Sequence, residues 1–309
     1  MLGIRTYKHA RISGLLILNI ESSIMRKSLL ALALLAAASA PVMAADYSDG
    51  DIHKNDYKFL QFNLMGAFNE KGVSESTHDY LEMEFGGRNG IFDLYGYVDV
   101  FNLTSDSSSD KAKSEKMFMK FAPRMSIDGL TGKDLSFGPV QELYVASLME
   151  WGGGGATNCD ATGCIDGSPG VNTQKIGLGS DVMVPWFGKM GLNLYGTYDS
   201  NKKDWNGFQI STNWFKPFHF FENGSFISYQ GYIDYQFGMD EGKGYATSSN
   251  GGAMFNGLYW HSDQFAVGYG LKLYKDVYGF ADGEGLPWNA SAQAESSGVG
   301  HYVAVTYKF

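Results

Sequence analysis

The chain ends in Gly-His-Tyr-Val-Ala-Val-Thr-Tyr-Lys-Phe, residues 300–309, and this stretch decides the fold class. Side chains along a β-strand point alternately to opposite faces, so every second residue shares a face. The mainly apolar face holds His301, Val303, Val305, Tyr307 and Phe309. The other face holds Tyr302, Ala304, Thr306 and Lys308. Such a strand suits a wall between lipid and water, although an edge strand of a soluble sheet shows the same pattern.

The same alternation recurs through the chain from residue 57 onward. It predicts about twelve strands, at residues 57–68, 80–85, 91–101, 116–125, 140–151, 174–184, 191–199, 205–215, 226–237, 254–261, 264–275 and 300–309. Most connections are either short (86–90, 185–190, 262–263) or long and polar (102–115, 152–172, 238–252, 276–297). The connections at 126–139 and 216–225 are longer than a short turn requires. No segment after residue 44 reaches the roughly 18 unbroken apolar residues of a membrane helix.

Two all-β folds satisfy this pattern, a two-sheet sandwich and a membrane barrel. The even strand count and the terminal Phe309 favour the barrel, as do aromatic residues near strand ends. Those aromatic residues are Trp151, Trp186, Trp214, Trp260 and Trp288. We therefore expect one all-β domain, a transmembrane antiparallel up-and-down β-barrel of about 12 strands.

The first 44 residues resemble an export signal rather than part of the barrel. Arg26 and Lys27 precede a short apolar run at 29–38, and Val42, Met43 and Ala44 form a small-residue cleavage site. We expect cleavage before Ala45, which leaves residues 45–309 as the barrel domain. Residues 1–24 are interpreted as an upstream start-codon extension, with a long two-part signal as the alternative.

Charge and motif content exclude several functions. Removing residues 1–44 takes away five basic residues and one acidic residue, which changes the formal net charge from −9 to −13. Nucleic acid is therefore not expected as a partner. The cluster His261-Ser262-Asp263 is the only candidate for hydrolytic chemistry, but it lies in a two-residue turn, where adjacent residues do not form a triad. We expect no enzyme activity, no cofactor and no metal site.

Two cysteines, Cys159 and Cys164, lie in a glycine-rich loop that begins at residue 152. In an exported protein, this spacing favours a small structural disulfide ring. Free thiols and a metal site are the alternatives.

The polar face of strands two to five is the predicted lining of a pore. Its tyrosines can stack on flat bases, and its charged groups can hydrogen-bond hydroxyls and ring nitrogens. Alternatively, its ion pairs fill a small barrel and hold its wall. The predicted lining residues are Tyr80, Glu82, Glu84, Asp93, Tyr95, Tyr97, Asp99, Lys116, Lys120, Arg124, Glu142 and Tyr144.

Four motifs in these strands are similar to those of a known family. They are Tyr80-Leu-Glu82-Met-Glu84-Phe85, Phe92-Asp93-Leu-Tyr95-Gly96-Tyr97-Val-Asp99, Pro123-Arg124-Met-Ser126-Ile127-Asp128 and Asp134-Leu-Ser136-Phe137-Gly138-Pro139. In order and spacing they resemble the Tsx/OmpK family of nucleoside-specific outer-membrane channels, most clearly over residues 57–150. The chain looks closer to the OmpK branch, whose surface loops can serve as phage receptors.

The resemblance implies a monomeric twelve-stranded barrel, surrounded by the lipids of the bacterial outer membrane, that passes nucleosides by facilitated diffusion through a narrow pore. Inward carboxylates predict a preference for uncharged nucleosides over nucleotides, although Lys116, Lys120 and Arg124 oppose this locally. A surface binding protein or phage receptor, with an incidental or general small-solute pore, is the alternative function. The last strand resembles the signal read by the barrel-assembly machinery, with Val303, Val305, Tyr307 and Phe309 as its outward residues.

Overall fold

The protein is a closed antiparallel β-barrel, as the sequence predicts. The computed structural model describes residues 47–104, 116–152 and 170–309, together with the backbone of 158–160 and 163–165. In the described residues, twelve strands form one continuous sheet in which each strand pairs with its neighbours along the chain, and the first pairs with the last to close it. A single closed sheet excludes the sandwich.

Each barrel strand coincides closely with one of the predicted segments, and most strands are a few residues longer than predicted. They are β1 (Tyr57–Glu70), β2 (Ser76–Asn89), β3 (Phe92–Phe101), β4 (Met117–Ser126), β5 (Val140–Gly152), β8 (Val171–Val184), β9 (Gly188–Asp199), β10 (Asp204–Phe220), β11 (Phe226–Phe237), β12 (Asn250–His261), β13 (Phe265–Lys275) and β16 (Gly298–Lys308). Two small hairpins lie outside the barrel: β6 (Asn158–Asp160) with β7 (Gly163–Ile165), and β14 (Gly285–Leu286) with β15 (Asn289–Gln293).

The two faces of the wall separate as the alternation predicts. In β16, Val303 and Val305 are about half exposed, while Tyr302 and Thr306 are each only 3 % exposed. The outward set faces away from the barrel, and the inward set faces an enclosed interior. Trp214 lies on the outward face of β10 but is buried, because neighbouring aromatic rings pack against it.

The two ends of the barrel differ. At the terminal end, which carries both ends of the barrel sequence, the connections at 90–91, 185–187, 221–225 and 262–264 are short. The connection at 216–225 is shorter than predicted because β10 continues to Phe220. The connection after β4 is longer than the others at this end because it contains a short helix, α1 (Ile127–Thr131). Asp128 of this helix accepts hydrogen bonds from the backbone N–H groups of Leu135 and Leu143, which holds the connection against β5.

The opposite, loop end carries the longer connections. Phe280, Leu286 and Ala294 form a small buried cluster there, against which Trp288 packs. In the hairpin of β6 and β7 the backbone of Cys159 lies directly opposite that of Cys164, while their side chains, and hence the predicted disulfide, lie outside the described residues. None of the described helices is long and apolar enough to cross a membrane.

Candidate functional site

The barrel encloses an internal cavity of about 1710 Å³. Its lining includes Lys71 and Tyr245 at the loop end, and Phe226 and Lys308 at the terminal end. The cavity therefore extends along the barrel axis rather than forming a closed pocket in one wall.

Nine of the twelve residues predicted to line a pore border this cavity. They are Tyr80, Glu82, Glu84, Asp93, Tyr95, Tyr97, Asp99, Lys120 and Arg124. The other three do not border it. Lys116 precedes β4 and has an exposed side chain, so it lies beyond the strand whose face it was predicted to share. Glu142 and Tyr144 point inward from β5 but are buried among other side chains at the terminal end.

Six of these residues form one patch of wall on β2 and β3, which we name the acid–tyrosine wall: Tyr80, Glu82, Glu84, Tyr95, Tyr97 and Asp99. Antiparallel pairing places Glu82 directly opposite Asp99 and Glu84 opposite Tyr97. Since inward residues of neighbouring strands stand side by side, carboxylates and phenol rings alternate over this patch.

The two glutamates of this wall accept hydrogen bonds from neutral donors. Glu84 accepts hydrogen bonds from Gln61 Nε2 at 2.6 Å and from the Tyr95 hydroxyl at 3.0 Å. Asn63 Nδ2 donates to Glu82 at 2.6 Å and to Glu84 at 3.1 Å. In the described part of the chain, neither glutamate has a basic group within 4.0 Å, so both remain able to accept hydrogen bonds from a solute.

Aromatic rings line the cavity on two sides. Next to the carboxylates, the Tyr97 ring lies 6.3 Å from that of Tyr95 and 6.1 Å from that of Phe118. On β11 and β12, Tyr232 and Phe255 stack at 5.9 Å with their planes 15° apart. A flat solute inside the cavity therefore meets ring faces and edges on both sides.

Among the cations that border the cavity, Lys120 and Lys272 lie near the ring of Tyr232. Lys120 Nζ on β4 lies 2.6 Å from Asp234 on β11 and 3.8 Å from Glu150 on β5. Lys272 on β13 lies 5.0 Å from the centre of the Tyr274 ring and 5.8 Å from that of Tyr232, within cation–π range.

A second group of charges closes part of the terminal end. We name it the terminal-end network; its members are Tyr47, Arg88, Asp93, Arg124, Ser126, Glu142, Tyr144, Asp181 and Lys189.

At the centre of this network, both terminal nitrogens of Arg88 donate hydrogen bonds to the Glu142 carboxylate, at 2.6 and 2.8 Å. The two side chains are each 4 % exposed. Tyr144 and Ser126 also donate hydrogen bonds to Glu142. Tyr47, from the segment before β1, donates to the same carboxylate at 3.3 Å. Burial raises the pKa of Tyr47 to about 12, so its hydroxyl stays protonated and able to donate.

The rest of the network centres on Arg124, which lies 2.7 Å from Asp93 and 2.9 Å from Asp181. Lys189 contacts Asp181 at 3.0 Å. Each carboxylate of the network therefore has a basic partner. This part of the predicted set holds the wall together more than it offers sites to a solute.

Sequence reasoning missed four residues that complete the site: Tyr232, Asp234, Phe255 and Lys272. The polar face of the segment 226–237 contains Tyr232 and Asp234, so the alternation identified their direction. Their part in the site depends on contacts with residues across the barrel, and a local sequence pattern does not predict such contacts. In the described residues, no group of three or more His, Cys, Asp or Glu is arranged to hold a metal ion.

Such a lining suits a small uncharged molecule with a flat ring and several hydroxyl groups. The rings supply stacking surface, and the carboxylates accept hydrogen bonds from hydroxyl groups.

Comparison with known proteins gives consistent results. A family model described as "Nucleoside-specific channel-forming protein, Tsx" matches residues 54–309. The outer membrane protein OmpK of Vibrio parahaemolyticus is 74 % identical over 285 residues, which cover 92 % of this chain and all of that protein. The nucleoside-specific channel-forming protein Tsx of Salmonella typhimurium is 29 % identical over 301 residues, again covering 92 % of this chain and all of the relative.

Among solved structures, OmpT of Vibrio cholerae, expressed in the outer membrane, covers 82 % of this chain and 97 % of its own. Its sequence identity is 8 % and its TM-score is 0.33.

Proposed function

Since the chain belongs to the family of Tsx-type, nucleoside-specific channel-forming proteins, we propose that its barrel passes nucleosides along the acid–tyrosine wall. The protein is a channel-forming protein of the outer membrane and not an enzyme. The observation that carries the proposal is the placement of Glu82 and Glu84 beside Tyr95 and Tyr97 on a wall of the internal cavity.

Each part of a nucleoside has a matching group in the cavity. The base stacks against the rings of Tyr97 or Tyr232, and such contacts contribute roughly 1–3 kcal/mol per base when fully formed. The ribose hydroxyls donate to Glu82 and Glu84, which keep free acceptor positions because they are held by only a few neutral donors. Binding of this strength allows the solute to enter and also to leave, as a channel requires.

The charge of the wall favours nucleosides over nucleotides. A phosphate group would approach the carboxylates of Glu82, Glu84 and Asp99, which repel it. Lys120 does not compensate for this repulsion, because Asp234 and Glu150 already lie beside it.

The proposal is tested with purified protein in planar lipid bilayers. Adenosine or thymidine at millimolar concentration should interrupt the single-channel current. The corresponding monophosphates should interrupt it less. Ribose without a base is the matched control, and it should have little effect because it cannot stack. No block by either nucleoside, or stronger block by the monophosphates, would contradict the proposal.

The ends of the chain and its loop support smaller proposals. We propose cleavage before Ala45, which N-terminal sequencing of the mature protein tests. We also propose that Val303, Val305, Tyr307 and Phe309 act as the assembly signal; all four are exposed on the outer face of the last strand. The opposed backbones of Cys159 and Cys164 support the disulfide, because directly opposed residues lie within bridging distance.

A further inference from the structure

One ion pair spans the interior of the barrel. Lys120 belongs to β4 and Asp234 to β11, and their charged atoms lie 2.6 Å apart. Between these strands, four strands of the wall intervene on one side and six on the other. The two residues are therefore nearly opposite each other, and the contact forms only because the walls approach to within the combined reach of the two side chains.

On the side with four intervening strands, the interior is packed. Leu148, Lys175, Tyr195 and Gln209 point inward there and are each 2 % exposed. Lys175 forms an ion pair with Glu150 within this region. Leu148 and Tyr195 border the cavity, whereas Lys175 and Gln209 lie behind its surface.

The packed side also holds both ends of the pair in place. Gln209 Nε2 donates to Asp234 at 3.2 Å, and Ser211 donates to the same carboxylate. Glu150 lies 3.8 Å from Lys120 Nζ. Because each member has a second partner on the packed side, neither is free to swing away from the other.

On the side with six intervening strands, Met65, Tyr259 and Tyr302 pack into a buried cluster, and the cavity runs beside them. The acid–tyrosine wall lies there, and Tyr95 is 36 % exposed to the cavity. Tyr232 lies at the boundary, with Lys120 Nζ 5.7 Å from its ring centre on one side and Lys272 Nζ 5.8 Å away on the other.

We propose that the pair Lys120–Asp234, the cross-lumen pair, determines the width of the channel. It narrows the interior between β4 and β11, and so directs solutes to the passage beside the acid–tyrosine wall. A solute wider than this passage is excluded by the ion pair rather than by the barrel backbone. The inference rests on the proposed channel function, but it concerns size selection and not the preference for nucleosides.

The decisive variant removes both members at once, K120A/D234A. A double substitution avoids leaving one buried charge without its partner, which is more costly than losing the pair. We expect a higher single-channel conductance and a larger exclusion limit, so that liposomes containing the variant swell in a trisaccharide that the unmodified protein excludes. An unchanged conductance together with an unchanged exclusion limit would overturn the proposal.

Two controls separate width from charge and from folding. Lys120→Arg keeps the reach and the charge of the side chain, so its exclusion limit should stay at the original value. Lys275→Ala removes a positive charge outside the cavity, where the side chain is 69 % exposed, and should leave conductance and limit unchanged. Heat-modifiable electrophoretic mobility shows that each variant is a folded barrel. A shift in the limit for K120R equal to that of K120A/D234A would also overturn the proposal.

Nucleoside block is recorded in the same preparations. If nucleosides block neither the unmodified protein nor any variant, the proposed nucleoside preference fails. The exclusion limit still tests the cross-lumen pair in that case. If block is present and the limit does not change, only the cross-lumen inference fails.

Discussion

The terminal-end network and the acid–tyrosine wall are both rich in inward carboxylates, but the hydrogen-bond partners of these carboxylates differ. In the network, Glu142, Asp93 and Asp181 each lie within 3.0 Å of a guanidinium or ammonium nitrogen. On the wall, Glu82 and Glu84 are held by amide and phenol donors.

The difference separates structure from function within one set of residue types. A buried carboxylate with a bidentate arginine is fully engaged and offers little to a solute. A carboxylate that faces a cavity and has no basic partner keeps part of its acceptor capacity. The predictions below test this division, from the largest expected effect to the smallest.

Arg88→Met should destabilise the barrel by about 3–5 kcal/mol, because it leaves Glu142 buried without its counter-ion. Unfolding in detergent, followed by circular dichroism or by heat-modifiable mobility, measures the loss.

The double variant R88M/E142Q is the matched control for Arg88→Met. It should recover most of the lost stability, since it removes the uncompensated charge. If R88M alone were as stable as the unmodified protein, the network would not have the structural role assigned to it.

Tyr97→Ala should weaken nucleoside block about 5- to 150-fold, equivalent to the roughly 1–3 kcal/mol of one stacking contact. Its stability should change far less than that of R88M, since the ring borders the cavity. Tyr97→Phe retains the ring and should retain the block.

Tyr144→Phe provides the opposite case. It removes the hydroxyl that contacts Glu142 and Asp181, so it should lower stability and leave block unchanged. A loss of block in Y144F with full stability would reverse the division between the two regions.

Substituting both wall glutamates, E82Q/E84Q, should weaken nucleoside block about tenfold, or about 1.4 kcal/mol, because hydrogen bonds to charged acceptors are stronger than those to amides. Any selectivity for cations should also fall, since the substitutions remove ionisable carboxyl groups from the cavity. Reversal potentials in a salt gradient measure this second effect, and an unchanged reversal potential would place the glutamates outside the conducting path.

Lys189→Ala should have the smallest effect, at most about 1 kcal/mol of stability. The lysine is 48 % exposed, and Asp181 keeps its contact with Arg124. A loss comparable to that of R88M would show that exposure does not distinguish the members of the network.

The fold and the inward direction of side chains were predictable because a strand has a fixed period of two. Val303 and Tyr302 took opposite faces of the wall as the terminal sequence indicates. Glu142 and Tyr144 show where this reasoning ends. The alternation correctly pointed them inward, but their height along the axis, and the packing of Tyr47 against them, depend on register and on a distant segment.

The cross-lumen contact was beyond prediction for a related physical reason. Asp234 lies on the polar face of a predicted strand, yet its partner is 114 residues away on the opposite wall. Whether two inward side chains meet depends on how close the opposite walls come, and so on the shape of the barrel. That shape is a property of the closed sheet as a whole and is not encoded in either strand.

The seam between β1 and β16 has a consequence for biogenesis. Thr306 donates a hydrogen bond to Asn63 across this seam, joining residues 243 positions apart, and β16 also pairs with β13. Until the last strand has arrived, a nascent sheet has two open edges, each able to recruit another chain. Pairing over such a separation is slow. The exported polypeptide therefore needs protection from aggregation throughout its transit, and loss of residues 298–309 would remove two interstrand ladders at once.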